Sequence, residues 1–329
     1  MVNLCLGIES TAHTFGVGIV SFDGKILANV KDAVSLASGG MIPLDVAKHH
    51  VAIKEKVLQE ALIKANATIQ EISIIAYSRG PGLSPCLRVG RDFAKQLAEE
   101  HNKPLIGVNH CIAHLTIGDL FAGNTDTVYV YVSGVNTQIV ALAGGRMRVF
   151  GETIDIGLGN ALDKFGRDAG LGFPAGPKIE ELAKKGSYVE LPYSVKGMDV
   201  SFSGIVTKAS QLLKKGEIVE NLCHSLQETC FAMLVEVTER AIAHTEKKQV
   251  ILIGGVAANQ RLGDMMQIMC QARGATFYPV PLAYSGDQGA MIAWQGILEW
   301  TAEKRNDIET AEIYPYERTD EIEVTWRKG

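Results

Sequence analysis

The sequence predicts an α/β protein of two similar lobes around a central cleft. Three observations predict it. A meander of short apolar strands opens each half of the chain, and helices alternate with strands after each meander. A length of 329 residues with 47% hydrophobic content suffices to core two lobes of ordinary size.

Taken in order, "NLCLGIES" reads as a strand entering a polar turn, "TAHT". "FGVGIVSF" is a second strand, closed by Asp23-Gly24 before a third, "KILANV". Connections this short join antiparallel neighbours. The long periodic run "DVAKHHVAIKEKVLQEALIKAN" is a helix, "ISIIAYS" a buried strand, "VGRDFAKQLAEEHN" a helix and "KPLIGV" another buried strand. The meander then returns as "VYVYVSG", the turn "VNT", "QIVALAG", a Gly-Gly-Arg turn and "MRVFGETID". Helices follow at "SQLLKK" and "ENLCHSLQETCFAMLVEVTERAIAHTEKK", then the strand "QVILIGG" and a last helix, "GAMIAWQGILEWTAEK". No low-complexity linker intervenes. The lobes therefore divide near residues 125–130, as 1–127 and 128–329, and the final helix, about 289–304, is expected to pack back on the first lobe.

Charge and cysteine usage exclude several classes. A net charge of −5 argues against a chain that grips nucleic acid by itself. Its basic residues lie mostly on solvated helix faces, and only Arg79, Arg88 and Arg91, with Lys184 and Lys185, form partial clusters for phosphate. No apolar run is long enough to span a bilayer, and "MVNLCLGIES" lacks the pattern of a signal peptide, so a cytoplasmic protein is expected. The six cysteines are scattered without Cys-x-x-Cys pairs, which argues against a disulfide framework or a cysteine-only zinc site.

In "GVNHCIAHLTIGDL" the side chain of Asn109 is suited to cap a helix, on which His110 and His114 would share one face. That spacing permits a metal, and equally fits an ordinary helix face. The positive end of the helix dipole is expected to keep His110 neutral, the form that binds a metal. Asp287, in the glycine-flanked turn of "AYSGDQGAMIAW", is either a third ligand or the N-cap of the last helix. The turns Glu9–Thr14 and Ser133–Thr137 are rich in hydroxyl residues and glycine, as both hairpin turns and phosphate-binding turns are. A third glycine turn, "IGGVAANQRL", leaves a buried strand and opens a helix, where Asn259 is either an N-cap or a reader of a ribose or base edge.

Blocks running in order from residue 7 to residue 293 carry a family resemblance: "GIESTAHT", "GGMIPLDVAKHH", "GPGLSPCLRVG", "GVNHCIAH", "YVSGVNTQ", "GETIDIGLGNALDKFGRDAGLGFPAGPKIEELA", "KGMDVSFSGI", "GGVAANQRL" and "GDQGAMIA". The chain resembles the tRNA N6-adenosine threonylcarbamoyltransferase family in its archaeal and eukaryotic branch, the catalytic subunit of the KEOPS complex, whose bacterial counterpart is TsaD. The resemblance implies a duplicated actin-like ATPase fold, shared with sugar kinases, heat-shock ATPases and actin. It implies transfer of a threonylcarbamoyl group from threonylcarbamoyl-adenylate to the N6 amine of adenosine 37, in tRNAs that read codons beginning with A. The family's metal ligands fall on His110, His114 and Asp287, with Tyr131 as a further oxygen donor, for one ion per chain, iron ahead of zinc. Tyr131, Val132, Ser133, Gly134 and Val135 would line the adenylate phosphate, and Asp163, Gly176, Glu180 and Asn259 would hold the nucleoside of ATP or the adenylate. The implied partners are tRNA, a small dimerising subunit on the first lobe and a kinase-like ATPase beside the second.

Two positions depart from the family pattern. Val135 stands where a second glycine is usual, adding a side chain expected to narrow the phosphate loop, and Gln288 stands where asparagine is usual. No Ser-His-Asp arrangement offers a covalent route, so direct attack by the amine is the simpler chemistry, and no catalytic proton acceptor is legible. Two other classes compete. A metallopeptidase of the His-Glu-x-x-His kind would need Glu where the chain has Cys111. A nucleotide-dependent scaffold or chaperone would share the fold.

Overall fold

Strands β1 (Leu4–Glu9), β2 (Thr14–Ser21) and β3 (Ile26–Ala33) pair antiparallel in chain order. Helix α1 (Pro43–Ala65), strand β4 (Ile72–Gly80), helix α2 (Ser84–Glu100) and strand β5 (Leu105–Asn109) complete the first set, and helix α3 (His110–Ala122) leads out of it. The second set opens with β6 (Thr127–Val132), β7 (Thr137–Ala143) and β8 (Arg146–Glu152), again antiparallel. Then come α4 (Leu158–Asp168), α5 (Gly176–Ala183), the short ribbon β9 (Val195–Lys196) and β10 (Asp199–Val200), α6 (Ser203–Lys214) and α7 (Val219–Thr245). Strand β11 (Gln249–Ile253), α8 (Gln260–Ala272), β12 (Thr276–Pro279), α9 (Leu282–Ser285) and α10 (Gly289–Thr301) follow. The computed structural model describes residues 3–34, 42–123, 126–304 and 308–327; residues 39–41, at the start of the "GGMIPLDVAKHH" block, lie outside them.

The first sheet runs β3-β2-β1-β4-β5 and the second β8-β7-β6-β11-β12, the same order strand for strand. In each, the inner meander strand pairs parallel with the next strand, and that one with the edge strand. The duplication read from two apolar meanders is therefore a duplication of topology. Several elements are longer than their periodicity suggested: α2 begins at Ser84 with Pro85 in its first turn, a position where proline starts helices well, and α6 begins at Ser203. The elements α4, α5, β12 and α9 have no counterpart in the sequence-level reading.

Each sheet has its own apolar core on one face, and a third core lies between the sheets, built on α3 and α10. Helix α10 lies on β1 and β2 of the first sheet so closely that side chains are excluded. A Cβ on Gly18 would fall 2.1 Å from the Ala290 nitrogen, and one on Gly7 would fall 2.2 Å from the Ala293 nitrogen. This approach brings the turn before α10 against the start of α3.

Candidate metal centre

Strand β5 ends on Asn109, whose Oδ1 accepts from the Ile112 N–H at 3.0 Å and caps α3. The cap makes His110 the first helical residue and sets His114 one turn later, with ring centroids 4.7 Å apart and planes at 85°. Residues His110 to Gly118 are all buried, as expected for a helix held between two sheets. Asp287 reaches the pair from the turn between α9 and α10. Its Oδ1 lies 3.2 Å from His114 Nε2 and 3.6 Å from His110 Nε2, and the donor atoms of all three residues lie within 4.8 Å of one another. The N-cap of α10 is Gln288, whose side chain accepts from the Met291 N–H at 3.0 Å. The capping reading of Asp287 is thus corrected: the longer neighbour takes the cap and leaves the carboxylate for the cleft.

One residue of this cluster was missed at the sequence level. Glu9, fully buried at the end of β1, accepts from His110 Nδ1 at 2.9 Å, while its other oxygen accepts from the Thr11 N–H at 2.7 Å and from the Thr11 hydroxyl. With Nδ1 protonated by this partner, Nε2 presents its lone pair to the cluster. The composition of the turn after β1 fits a hairpin or a phosphate turn and does not point to a partner for His110. An acid at the end of an otherwise apolar strand was the available signal.

The residues expected to hold a nucleotide all lie in the second lobe, at the end of β6 and at the starts or on the faces of α4, α5 and α8. Ser133 to Asn136 form a tight loop, with Ser133 N–H donating to Asn136 O (2.8 Å) and Asn136 N–H to Ser133 Oγ (3.0 Å). The start of α4 rests on it, because Gly159 donates its N–H to Ser133 O (3.0 Å) and a Cβ there would meet Gly134 Cα at 2.7 Å. Val132 is the buried last residue of β6, whereas Val135 is 70% exposed. The side chain that Val135 adds is thus open to solvent rather than packed into the loop. Asp163 Oδ1 accepts from the Ala175 N–H (2.7 Å), just ahead of Gly176 at the start of α5, and Glu180 Oε1 accepts from the Gln260 N–H (2.8 Å) at the start of α8. Asn259 caps α8 through Leu262 N–H (3.2 Å) and donates its amide to Gln227 (2.9 Å). Of the two readings of Asn259, the N-cap is thus the one the fold forms, and its amide is engaged within the protein. Of the basic residues singled out, Arg88, Lys184 and Lys185 are exposed, but Arg79 is half-buried in a two-pronged pair with Glu317 (2.7 and 3.1 Å) and Arg91 pairs with Asp92 (2.6 Å).

The sequence model of the tRNA N6-adenosine threonylcarbamoyltransferase family matches residues 25–294. The protein of that description from Thermococcus kodakarensis is 52% identical over 98% of this chain and 99% of its own length. This chain belongs to the tRNA N6-adenosine threonylcarbamoyltransferase family. It is an enzyme, a threonylcarbamoyltransferase of tRNA modification. The relative of the same description from Thermofilum pendens is 50% identical over 98% of this chain. A probable bifunctional tRNA threonylcarbamoyladenosine biosynthesis protein from Methanobrevibacter smithii is 49% identical, with this chain covering 61% of it. Among solved structures, HypF from T. kodakarensis superposes with a TM-score of 0.61 at 15% identity over 90% of this chain and 47% of its own. Component A of the (R)-2-hydroxyglutaryl-CoA dehydratase of Acidaminococcus fermentans superposes at 0.55 and 13% over 90% and 99%. These likenesses show the actin-like ATPase fold.

In this transferase the electrostatics of the cluster fit a cation. Burial opposes a charge on His110, but the charge of Glu9, its hydrogen bond and Asp287 outweigh burial and push the ring up to about 9. The dipole argument for a neutral His110 is thereby corrected: two adjacent carboxylates exceed the effect of a helix end. Burial and the neighbouring His110 hold His114 below its ordinary value, against the pull of Asp287. Asp287 itself is held well below the carboxylate range, burial being outweighed by the hydrogen bond from His114 and the charge of His110. A metal ion would replace the His110 proton, so binding should release it. The donor set, two imidazoles and a carboxylate with a buried acid behind one ring, fits a transition metal with coordination positions open. Among the described residues His114 Nδ1 has no hydrogen-bond partner, and its ring is held by stacking on Tyr131, centroids 4.9 Å apart at 33°. Tyr131 Oη accepts from Asn136 Nδ2 at 3.5 Å, and burial raises the phenol well above its usual value, so it stays protonated at neutral pH.

Proposed function

We propose that this transferase carries a threonylcarbamoyl group from threonylcarbamoyl-adenylate to the N6 amine of adenosine 37 in tRNAs reading codons beginning with A, as the catalytic subunit of a cytoplasmic KEOPS complex. The observation that carries this reading is the cluster of His110, His114 and Asp287, with donor atoms within 4.8 Å and Glu9 orienting the first imidazole. A bound metal, iron ahead of zinc, would supply Lewis acidity toward the carbamoyl carbonyl or the leaving phosphate. Tyr131 would be a further oxygen ligand beside the substrate. The backbone of Val132, Ser133, Gly134 and Val135 would face the phosphate, and Asp163, Gly176, Glu180 and Asn259 would surround the nucleoside of ATP or the adenylate. The N6 amine attacks the carbamoyl carbon, a C–N bond forms, the bond to the phosphate oxygen breaks, and AMP and a proton leave.

The charge balance supports dependence on partners. With a net charge of −5 and with Arg79 and Arg91 tied into ion pairs, the partial cluster of Arg79, Arg88 and Arg91 offers little to a tRNA backbone. A small dimerising subunit on the first lobe and a kinase-like ATPase beside the second would add the missing surface. The isolated chain is expected to bind tRNA no more tightly than about 1 µM at physiological salt, the regime of non-specific contacts. Filter binding and nucleoside analysis with preformed adenylate, with and without partners, test this. Efficient multiple-turnover modification by the chain alone would overturn the partner dependence.

A further inference from the structure

The C-terminal segment builds a surface that adjoins the 133–136 loop and spans both lobes. On the first lobe, Tyr314 N–H donates to Arg79 O at 2.7 Å and Gly82 N–H to Pro315 O at 3.1 Å. On the second, Arg318 pairs with Glu152 at 3.2 Å, Thr319 Oγ donates to Gln138 Oε1 at 3.1 Å, and Val324 N–H donates to Gly145 O at 3.2 Å. Beneath this strap lies a cavity of about 350 Å³, lined among others by Cys111, Val135, Asn136, Asp155, Tyr316 and Thr319. Its inner wall adjoins the metal centre, because Cys111 follows His110 in α3 and the Asn136 amide bridges Cys111 Sγ (3.7 Å) and Tyr131 Oη (3.5 Å). At its mouth Tyr316 is 92% exposed and Val135 70%. An exposed ring usually costs ordering on binding, yet this one sits on fixed backbone. Its neighbour Pro315 is held by Gly82, and its neighbour Glu317 accepts from Arg79 and from Asn109 Nδ2 at 3.0 Å.

The lining selects for a neutral ring over an anion. The carboxylates at the cavity are each engaged: Glu152 with Arg318, Glu317 with Arg79, and Asp155 with the Ser201 hydroxyl and the N–H groups of Phe202 and Ser203. The basic group there, Arg318, is spent on Glu152 and Asp320. A phosphate would meet acceptors, whereas a planar heterocycle with an amino group would find oxygen acceptors along the wall and an aromatic face at the mouth. The volume lies within the range of small-ligand sites.

We propose that this cavity receives the acceptor adenine of the RNA, extruded from its loop, and that Tyr316 stacks against it at the mouth; the proposal rests on the function given above. The test uses the chain with its partner subunits and an anticodon stem-loop carrying 2-aminopurine at the acceptor position, comparing wild type, Tyr316→Phe and Tyr316→Ala. Stacking predicts quenched fluorescence on binding for wild type and Tyr316→Phe, and at least half of that quenching lost in Tyr316→Ala. With intact tRNA and preformed adenylate, Tyr316→Ala should raise KM for tRNA about tenfold with little change in kcat, the size expected for one stacked base, and phenylalanine should restore it. Metal content and affinity for a non-hydrolysable ATP analogue should stay at wild-type values. Unchanged quenching and KM in Tyr316→Ala would overturn the proposal, as would a loss of equal size in Tyr316→Phe. A loss of ATP-analogue affinity in Tyr316→Ala, with KM for tRNA unchanged, would also overturn it by assigning the cavity to the adenylate. Quenching that depends on Tyr316 in a protein that modifies no tRNA would support the base site and overturn the reaction assigned to it.

Discussion

Two carboxylates act on His110 from opposite sides, and their roles differ. Glu9 holds Nδ1 at 2.9 Å and fixes which nitrogen faces the cluster, whereas Asp287 lies 3.6 Å from Nε2 and is itself a donor. Glu9→Gln should therefore keep the metal but weaken it about 10- to 100-fold, the usual effect of removing an outer partner. Asp287→Ala should lose the metal outright, with both variants still melting cooperatively. Elemental analysis after dialysis against graded chelator reads the difference; equal retention in both would contradict these roles. The His110–His114 spacing is local and therefore legible in the sequence. Asp287 was legible only as one of two alternatives, because choosing between cap and ligand depends on Gln288 taking the cap. The role of Glu9 needs β1 and β5, one strand apart with β4 between them, to end at the same edge of the sheet, which no local pattern announces.

Among the elements, the meanders and long helices were legible because strict alternation and helical periodicity leave few other readings. Helix α4 was not, since "LGNALDKFGRD" carries glycines that propensity counts against a helix. Those glycines answer to tertiary approach: a Cβ on Gly166 would meet the Ala175 Cβ at 2.1 Å, and one on Gly159 would meet the 134 loop. Helix α6 was started too late for a related reason, because its cap comes from Asp155, 48 residues before Ser203, whose N–H it accepts at 2.9 Å. Although burial opposes ionisation, the Ser201 hydroxyl and the N–H groups of Phe202, Ser203 and Ile156 hold the Asp155 carboxyl well below the carboxylate range. Its folded form thus binds a proton less readily than the unfolded chain, so its contribution is present above the ordinary carboxylate pKa of about 4 and fades as pH falls below it. Asp155→Ala should cost about 1 kcal/mol at pH 7, the scale of a lost cap on a largely exposed side chain, and less at pH 3. Denaturant melts at the two values check it; a difference that grows on acidification would contradict the sign.

For the molecule as a whole, α3 and α10 fill the space between the sheets and the C-terminal strap ties the lobes over the cleft. The pair of Arg79 and Glu317, side chains 16% and 12% exposed, anchors that strap. Arg79→Ala should destabilise the protein by about 2 kcal/mol, because it leaves the half-buried Glu317 carboxylate with only the Asn109 amide as a partner, while Lys184→Ala should be near neutral. A small loss for Arg79→Ala in denaturant titration would mean that the strap is not fixed by this pair. The sequence had grouped Arg79 with Arg88 and Arg91 as a phosphate cluster, since neighbouring cations in a chain look alike until a distant carboxylate claims one of them. The duplicated fold was legible because each half opens with the same meander of short apolar strands. The cavity under the strap was not, as it is closed by residues some 200 positions from Cys111.

Threonylcarbamoyl transfer is proposed to take place at His110, His114 and Asp287. The most direct measurement is nucleoside analysis of tRNA after incubation with preformed threonylcarbamoyl-adenylate and the partner subunits, for wild type, His114→Ala and Asp287→Ala, with metal content determined on the same samples. Wild type should form threonylcarbamoyladenosine, and both variants should lose metal and product together while remaining folded. Folded, metal-free variants that modify tRNA at the wild-type rate would place the reaction elsewhere.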